Sequence, residues 1–327
     1  MLYVTTRDSK ETYTAYKALT QDFAPNGGFF VPLKFPTYTW GELAALGKLG
    51  FYACVCHVLN PFCNGNLIPS NLEFKLGRKP VRVYPLNKKT LFAQLWHNPQ
   101  ENFDYFCKGI SDLILEDRAT PVPSNWTKIL CRISILFATI TPLIQGRILQ
   151  ESDAVDVSVV GDDFTAAMAV WYARAMGLPV GQIVSSSPED TIWSLLHYGE
   201  HRSEAQLPRG LERLIHGCGG TGEVKRFLEQ YNYVPNELLL EKLRFKLQIG
   251  VISKARTVET ITHVYRSHGY LMGLSSAMAY AGLLDCRSSC STGKLGLVME
   301  DNGCDPKVIS TIFDISMKEA QERIDAM

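Results

Sequence analysis

A βαβ pattern over residues 154–187 constrains the fold of this chain more than any other feature of its sequence. The run "AVDVSVV" (154–160) is continuous and β-branched, as in a central strand of a parallel sheet. "GDDF" then turns the chain, "TAAMAVWYARAMG" has helical spacing and ends at Gly177, and "LPVGQIVSS" begins a second strand. A strand, helix and strand in this order predict an α/β protein whose parallel sheet is flanked by helices.

Two further stretches fit the same architecture. "LFAQLW" (91–96) predicts a strand, and "FDYFCKGISDLIL" behind it predicts a helix. "VPSNWTKILCRISILFATITPLI" begins with a helix-entry signal and predicts a long buried helix, since its apolar core is shorter than the roughly 20 residues that span a bilayer. The polar, Gly-rich segment 200–223 predicts a surface loop around the short helix "LERLIHG".

Charge and cysteine usage narrow the class of partners. The 327 residues hold 33 Lys and Arg against 33 Asp and Glu, so we expect neither a nucleic acid nor a membrane as partner. The first residues lack a basic region followed by an apolar one, which favours a cytoplasmic protein. Nine scattered cysteines without a C-x-x-C predict reduced thiols. His197 and His201 flank Gly199 and favour a helix end, so we expect no metal.

Several motifs, in this order, resemble the pyridoxal-phosphate (PLP) enzyme threonine synthase. The opening "YVTTRDSKETYTAYKALTQDFAPNGGFFVP" (3–32) is similar to the start of that family. "LFAQLWHNP", "SNWTKIL", "AVWYARAMGLPV" and "PRGLERLI" are similar to later family motifs. The resemblance implies PLP fold type II, the tryptophan synthase β-like α/β architecture, and amino-acid biosynthesis as the setting.

The resemblance places the family's catalytic lysine at Asp104. In the family, the residues after His-Gly-Pro run Thr-Leu-Ala-Phe-Lys-Asp, and this lysine forms the Schiff base with PLP; the alignment uses His97, Pro99 and Phe103. An aspartate cannot form an imine. Lys108 lies one helical turn further on and is an alternative Schiff-base lysine, although the same spacing favours an ordinary Asp104–Lys108 ion pair.

The positions implied for the cofactor's phosphate and ring also differ from the family. Its Gly-Asn-Phe-Gly phosphate turn aligns with Asp162, Asp163, Phe164 and Thr165. Carboxylates there cap a helix and repel an anion, so capping is the favoured interpretation. Ser276 falls in the segment that faces the cofactor ring, where it would donate to the pyridine nitrogen or simply pack.

The chain between Asp104 and Asn125 is too short for the family's substrate-binding segment. About twenty residues are fewer than a βαβ crossover with its strands needs. We therefore expect a reduced small domain and three regions: 1–90, an N-terminal threonine-synthase-like region; 91–150, a remnant of the small domain; and 151–327, the main α/β domain.

These departures favour a catalytically degenerate threonine-synthase-like protein that needs no cofactor. It would keep a binding or structural role in a homo-oligomer or beside a full-length homologue. One alternative is a PLP-dependent lyase or synthase of altered chemistry that acts on an amino acid through Lys108. Another is a cofactor-free protein that binds a small metabolite in a cleft at the carboxyl ends of the strands. The residues expected to line that cleft are His97, Asn98, Asp163, Ser185, Ser186, Ser187 and Ser276.

Overall fold

The computed structural model shows a six-stranded sheet between helices and a smaller three-stranded sheet near the N-terminus. It describes residues 1–63, 65, 67–77, 81–96, 101–115, 122–161, 163–189, 191–199, 207–230, 233–245, 247–289 and 293–326. The strands are β1 Leu2–Thr5, β2 Tyr13–Thr14, β3 Phe30–Pro32, β4 Arg82–Asn87, β5 Thr90–Gln94, β6 Val155–Val160, β7 Val180–Ser187, β8 Leu247–Val251 and β9 Leu295–Glu300.

Helices connect these strands and cover the large sheet. In the first half of the chain they are α1 Ala15–Thr20, α2 Trp40–Leu46, α3 Phe51–Leu59, α4 Pro69–Leu76, α5 Phe103–Ile114, α6 Asn125–Gln145 and α7 Thr165–Ala175. In the second half they are α8 Thr191–Tyr198, α9 Arg209–Glu229, α10 Glu237–Arg244, α11 Lys254–His268, α12 Leu274–Ser289, α13 Pro306–Phe313 and α14 Met317–Asp325.

The large sheet has the strand order β4-β5-β9-β6-β7-β8. β5, β9, β6, β7 and β8 are parallel to one another, and only β4 is antiparallel to its neighbour β5. The predicted βαβ unit is therefore confirmed as β6, α7 and β7. β9 comes last along the chain yet pairs with both β5 and β6 in the middle of the sheet, which ties the two halves of the sequence together.

Alternate residues of each strand face two separate apolar layers. Val157 and Val159 of β6 pack in the layer that contains α6 and α7, whereas Val184 of β7 and Val298 of β9 pack in the layer that contains α11 and α12. This period of two follows from the pleat of a strand. Both faces of the sheet are thus covered, as parallel sheets require.

α6 is the central helix of the larger layer. Ser124 caps it by accepting a hydrogen bond from the backbone N–H of Thr127 at 3.2 Å. With 21 residues and high hydropathy it is long and apolar enough to cross a membrane, but 83% of its apolar window is buried inside the fold. The prediction of a buried helix is therefore confirmed, and a cytoplasmic location stays a prediction.

The structure differs from the sequence prediction over the Gly-rich segment. α9 continues through most of the stretch expected to be a loop and is interrupted only at Gly220, whose φ of 76° lies in the left-handed region. Such a φ suits glycine, so a single residue absorbs the kink while the flanking turns stay helical. Glycines at 217, 219 and 222 therefore lower the helical propensity without ending the helix.

The proposed three-region division remains a prediction. β5 lies within 91–150 and pairs with β9 of 151–327, so these two regions share one sheet. α5 ends at Ile114 and α6 begins at Asn125, which leaves only a short connection where a further α/β segment was expected in the family.

Candidate functional site

The candidate site lies at the edge of the large sheet where its five parallel strands end. Gln94 ends β5, Glu300 ends β9, Val160 ends β6 and Ser187 ends β7. Ligands of open α/β sheets bind beyond the carboxyl ends of strands, where helix N-termini and loops converge. Among the described residues, the turn after β6 and the starts of α5 and α7 hold Asp163, Phe164, Asp104 and Thr165, four of the residues that the sequence predicted for a site.

Asp104 and Lys128 form an ion pair at this edge. Asp104 lies in the first turn of α5 with 70% of its side chain exposed, and its Oδ1 accepts a hydrogen bond from Lys128 Nζ at 2.7 Å. Burial lowers the pKa of Lys128, but the hydrogen bond and charge of Asp104 outweigh it, so the pKa is raised overall, with a further contribution from Asp163. Lys128 belongs to the motif "SNWTKIL", and sequence reasoning did not single it out.

Lys108 lies apart from this pair. Its Nζ contacts Asp112 Oδ1 at 3.0 Å, and Lys75 binds the other oxygen of Asp112 at 3.1 Å. The predicted Asp104–Lys108 ion pair is therefore wrong. Lys108 has a carboxylate four residues away on each side, Asp104 before it and Asp112 after it. In the structure it pairs with Asp112.

Asp163 lies one residue before Phe164, the N-cap of the helix after β6, and its carboxylate contacts the first helical residue. Its two carboxylate oxygens accept hydrogen bonds from the Thr165 backbone N–H at 3.0 Å and the Thr165 hydroxyl at 2.8 Å. Phe164 between them is buried and has a φ of 62°, a left-handed conformation that is uncommon for a residue with a large side chain. The turn is therefore tight, and a carboxylate occupies the first free N–H of α7.

Gly210 allows α9 to lie against this turn. Its N–H donates to the Asp163 carbonyl at 2.8 Å. A Cβ at position 210 would lie 2.2 Å from the carbonyl oxygen of Phe164, closer than atoms can approach. The short N-terminal end of α9 thus supports the turn from behind, and only glycine fits there.

A buried arginine supports the same turn from the core side. Arg213 is fully buried, donates through Nη1 to Asn125 Oδ1 and through Nε to the Phe30 carbonyl at 3.3 Å, and lies over the ring of Phe29 at 4.7 Å. Asn125 in turn donates to the Thr165 hydroxyl at 2.9 Å. Burial lowers the pKa of Arg213 to about 10. Its Nη2 has no hydrogen-bond partner among the described residues.

Glu212 connects the N-terminal motif to α9. The buried carboxylate accepts from the Thr6 hydroxyl at 2.5 Å and from Arg7 Nη2 at 3.0 Å. Residues of three separated motifs, "YVTTRD", "SNWTKIL" and "PRGLERLI", therefore meet in one polar network behind the turn after β6. From the sequence these motifs were only family resemblances, and nothing in their spacing predicted that they touch.

Ser276 lies in a second buried polar cluster, at the ends of β5 and β9. It hydrogen bonds to Glu300, which also accepts from the Tyr270 hydroxyl, and Gln94 donates to that hydroxyl at 2.7 Å. Burial raises the pKa of Glu300 to about 7 although these hydrogen bonds act in the opposite direction. Ser276 is thus partnered by a carboxyl group that the sequence did not point to.

A large cavity adjoins this second cluster. Its volume is about 1210 Å³, and Gln94, Tyr270, Trp96, Asn102 and Cys304 are among the residues that line it. Asn102 is the N-cap of α5 and stands two residues before Asp104. The cavity is somewhat larger than the usual small-molecule pocket of about 300 to 1,000 Å³, so it has room for a small molecule.

Ser185, Ser186 and Ser187, the predicted cleft residues of β7, do not all lie on one face of the strand. Ser185 and Ser187 alternate with Ser186 along β7, and Ser186 faces α12, where its Oγ has no partner among the described residues and crowds Gly282. Ser187 accepts from the Glu189 N–H at 3.1 Å. His97, Asn98, Asp162 and His201 lie outside the described residues, as does the side chain of His197.

Residues 2–75 match the family model described as threonine synthase N terminus. The fold matches PLP-bound threonine synthase from Brucella melitensis with a TM-score of 0.77 and 16% identity, over 96% of this chain and 91% of that chain. It matches threonine synthase from Escherichia coli with a TM-score of 0.66 and 16% identity, over 99% and 95% of the two chains. A search of curated proteins finds no match to this sequence.

Threonine synthase from yeast also matches, with a TM-score of 0.71 and 13% identity, over 98% of this chain and 90% of that chain. These TM-scores establish a shared fold, and the predicted α/β PLP fold type II is confirmed. The prediction that no cofactor is involved is contradicted, because the Brucella melitensis protein with this fold was solved with PLP bound. The alternative of a cofactor-free protein that binds a small metabolite also assumed that no cofactor is involved. We conclude that the chain is threonine-synthase-like in its N-terminal region and in its fold.

Proposed function

We propose that the chain is a threonine-synthase-like protein that binds PLP through Lys128 instead of through a lysine at position 104. One observation carries the proposal: Lys128 Nζ lies 2.7 Å from Oδ1 of Asp104. The family resemblance assigns the Schiff-base lysine to position 104, so a lysine of α6 brings an amine to the place where the α5 lysine is lost. Lys108, the earlier candidate, is held by Asp112 instead.

The residues around Lys128 determine what its amine can do. Asp104 holds the amine as an ammonium, and the amine must release this proton before it can attack an aldehyde. When bound, PLP supplies a ring that withdraws electrons from the carbon next to the substrate's nitrogen. Asp104 and Lys128 are a carboxylate and an amine in direct contact, able to hold or pass a proton between Oδ1 and Nζ.

The site fits the phosphate group of PLP less well than its aldehyde group. Asp163 occupies the Thr165 N–H that a phosphate would use, and a phosphate would have to displace this exposed carboxylate into solvent. Arg213 offers a positive charge behind the turn, but it is fully buried and bound to Asn125. We therefore expect PLP to bind more weakly than a glycine-rich turn would allow, and we expect chemistry other than threonine synthesis.

Titration with PLP tests the proposal. We expect a visible absorption band that saturates with PLP in the unmodified protein and in Lys108→Arg, and no such band in Lys128→Arg. The two variants remove one exposed or half-exposed amine each and keep the positive charge, so they are matched controls. A band that survives in Lys128→Arg and disappears in Lys108→Arg would contradict the assignment.

A second candidate is a catalytically degenerate protein that binds PLP without turnover. The observation that favours it is the raised pKa of Lys128, because an amine held as an ammonium is a poor nucleophile. Such a catalytically degenerate protein would act in a homo-oligomer or together with a full-length homologue. Incubation with PLP and amino acids separates the two: a change in substrate observed by NMR supports the catalytic proposal, and binding without any change supports the second.

A further inference from the structure

Three contacts hold the first turn of α5. Lys128 Nζ binds Asp104 Oδ1 at 2.7 Å. Cζ of Arg132 lies 4.2 Å from the centre of the Phe103 ring. The backbone N–H of Phe103 donates to the carbonyl of Asp301 at 3.3 Å. The residue that pairs with Lys128 thus directly follows a residue that is held both at its ring and at its backbone.

The ion pair between α6 and Asp104 is too exposed to fix its own geometry. The side chain of Asp104 is 70% exposed and that of Lys128 is 34% exposed. Exposed ion pairs contribute little, because water screens the charges and because holding two flexible side chains in one arrangement costs entropy. A defined contact between this carboxylate and this amine therefore needs support from the residues around it.

Arg132 is placed to give that support. It lies one helical turn after Lys128 on α6, so both side chains leave the helix on the same side. Its Nη1 and Nη2 donate to the two carboxylate oxygens of Asp301 at 2.8 and 2.6 Å. Such a bidentate pair fixes the plane of the guanidinium. The side chain of Arg132 is 5% exposed, so water screens this pair much less than it screens the pair at Asp104.

Asp301 is in turn anchored by the large sheet. It directly follows Glu300, the last residue of β9, whose carbonyl accepts from the Leu95 N–H at 2.8 Å. β9 is a central strand with β5 and β6 as neighbours, so its end is held on both sides. The ion pair of Arg132 and Asp301 therefore connects α6 and the first turn of α5 to the most rigid part of the fold.

We propose that Arg132, bound to Asp301 and lying over the ring of Phe103, is a positioning residue that holds Asp104 beside Lys128. Arg132 acts through Phe103 and needs no contact with a cofactor or substrate. Its importance for catalysis rests on the proposed function of Lys128, whereas the positioning is a property of the protein without PLP.

Acetylation of Lys128 across pH, without PLP, tests the positioning. Burial lowers the pKa of Lys128, and the hydrogen bond and charge of Asp104 raise it, with further contributions from Cys107 of α5 and Asp163 of the turn after β6. In Arg132→Met we expect the midpoint of the acetylation profile to move to lower pH, by an amount comparable with that in Asp104→Asn. Removal of a cation would by itself favour the ammonium and move the midpoint to higher pH, so the two effects differ in sign.

Phe103→Leu tests the same link without a change of charge. It removes the ring beneath Arg132, and we expect a midpoint at lower pH in this variant too, which decides the question if Arg132→Met does not fold. Phe106→Leu is the matched control, because Phe106 is also buried, lies one turn further along α5 and packs against Phe51 with 6.4 Å between ring centres. It should lower the stability measured by urea unfolding and leave the Lys128 midpoint unchanged.

The midpoint is the quantity to compare, because a change in the exposure of Lys128 alters the labelling rate by a similar factor at every pH. A midpoint that is unchanged or raised in Arg132→Met or in Phe103→Leu would overturn the positioning role. So would an equal shift in Phe106→Leu, since it would mean that any loosening of α5 has this effect. A PLP absorption band that persists in Lys128→Arg would contradict the proposed function instead, and the acetylation midpoints would still decide the positioning.

Discussion

Asp104 and Lys128 are the pair of residues on which the functional interpretation depends. The sequence pointed to position 104 through the family resemblance, but it could not point to Lys128. The two residues are 24 positions apart and lie on different helices, so no spacing rule connects them. Lys108 was the nearest lysine in sequence, and local spacing alone favoured it.

Replacement of Asp104 by Asn should change the titration of Lys128. The carboxylate favours the ammonium form, so its removal lowers the pKa of Lys128 and increases the neutral fraction of the amine at a given pH. We expect acetylation of Lys128, followed by peptide mass spectrometry across pH, to begin at lower pH in Asp104→Asn. Asp112→Asn, which removes the partner of Lys108, should leave the Lys128 profile unchanged. Equal Lys128 profiles in all three proteins would show that the ion pair does not form in solution.

Glu300 should make the stability of the protein depend on pH. Its pKa is raised from 4.5 to about 7 in the fold, where it faces Tyr270, Gln94, Ser276 and Cys304. Between pH 4.5 and pH 7 the Glu300 carboxyl is deprotonated in the unfolded chain but still protonated in the folded one. The contribution of Glu300 to the free energy of unfolding is therefore complete below about pH 4.5 and is lost as the pH rises through 7. The difference corresponds to about 3 kcal/mol.

Glu300→Gln should therefore gain stability relative to the unmodified protein as the pH rises from 4.5 to 8. Urea unfolding at several pH values measures this difference, with the exposed Glu229→Gln as the control that should follow the unmodified protein. A constant difference across this range would mean that Glu300 does not retain its proton in the fold.

At the scale of elements, the turn between β6 and α7 could be predicted from the sequence, but the residues that pack behind this turn could not. The β-branched strand, the aspartate that accepts from the first N–H of α7 and the closing Gly177 are local signals, and each is present in the structure. The placement of Arg213, Asn125 and Gly210 behind the turn depends on long-range packing of α6 and α9. The continuation of α9 past Gly217 was missed because glycine-rich composition predicts a loop, whereas packing of the turns that flank Gly220 keeps them helical.

Loss of the Asp163 cap should weaken the protein by the amount typical of helix N-terminal caps. Asp163→Ala leaves the Thr165 N–H without its acceptor, and we expect a loss of about 0.5 to 2 kcal/mol in the free energy of unfolding. Asp163→Asn keeps an acceptor oxygen and should restore most of this loss. Chemical denaturation measures both, and equal losses in the two variants would argue against a capping role.

Two glycines of α9 should respond to alanine with opposite signs. Gly210→Ala forces a methyl group into the Phe164 carbonyl and should destabilise the protein, whereas Gly222→Ala has open space around it. Alanine favours helix over glycine by about 0.5 to 1 kcal/mol, so Gly222→Ala should stabilise. Melting temperatures that move in the same direction would contradict the close contact between α9 and the turn.

At the scale of the whole molecule, the sequence predicted the α/β class and the relationship to threonine synthase. It did not predict that β9 lies between β5 and β6, because strand order across a sheet depends on pairings between residues about 140 to 200 positions apart. The expectation that no cofactor is involved was wrong. It rested on the loss of the lysine at position 104 and of a glycine-rich phosphate turn, whereas a protein with this fold was solved with PLP bound. The fold instead allows another helix to bring an amine to the same place.

Restoring the family's lysine should not by itself restore threonine synthesis. In Asp104→Lys the new side chain would lie beside Lys128, and the carboxylate of Asp163 would still occupy the Thr165 N–H. Correct orientation of the reactants can account for about 7 to 11 kcal/mol of a barrier, which one amine does not supply. Threonine formation from phosphohomoserine by Asp104→Lys, assayed with PLP present, would show that the remaining site is complete.

Borohydride reduction in the presence of PLP tests the central claim most directly. Reduction fixes PLP onto the amine that holds it, and proteolysis followed by mass spectrometry identifies the lysine. The structure predicts a single major adduct on Lys128, lost in Lys128→Arg and kept in Lys108→Arg. An adduct on Lys108, or labels spread evenly over exposed lysines, would contradict the claim that α6 supplies the amine at the site.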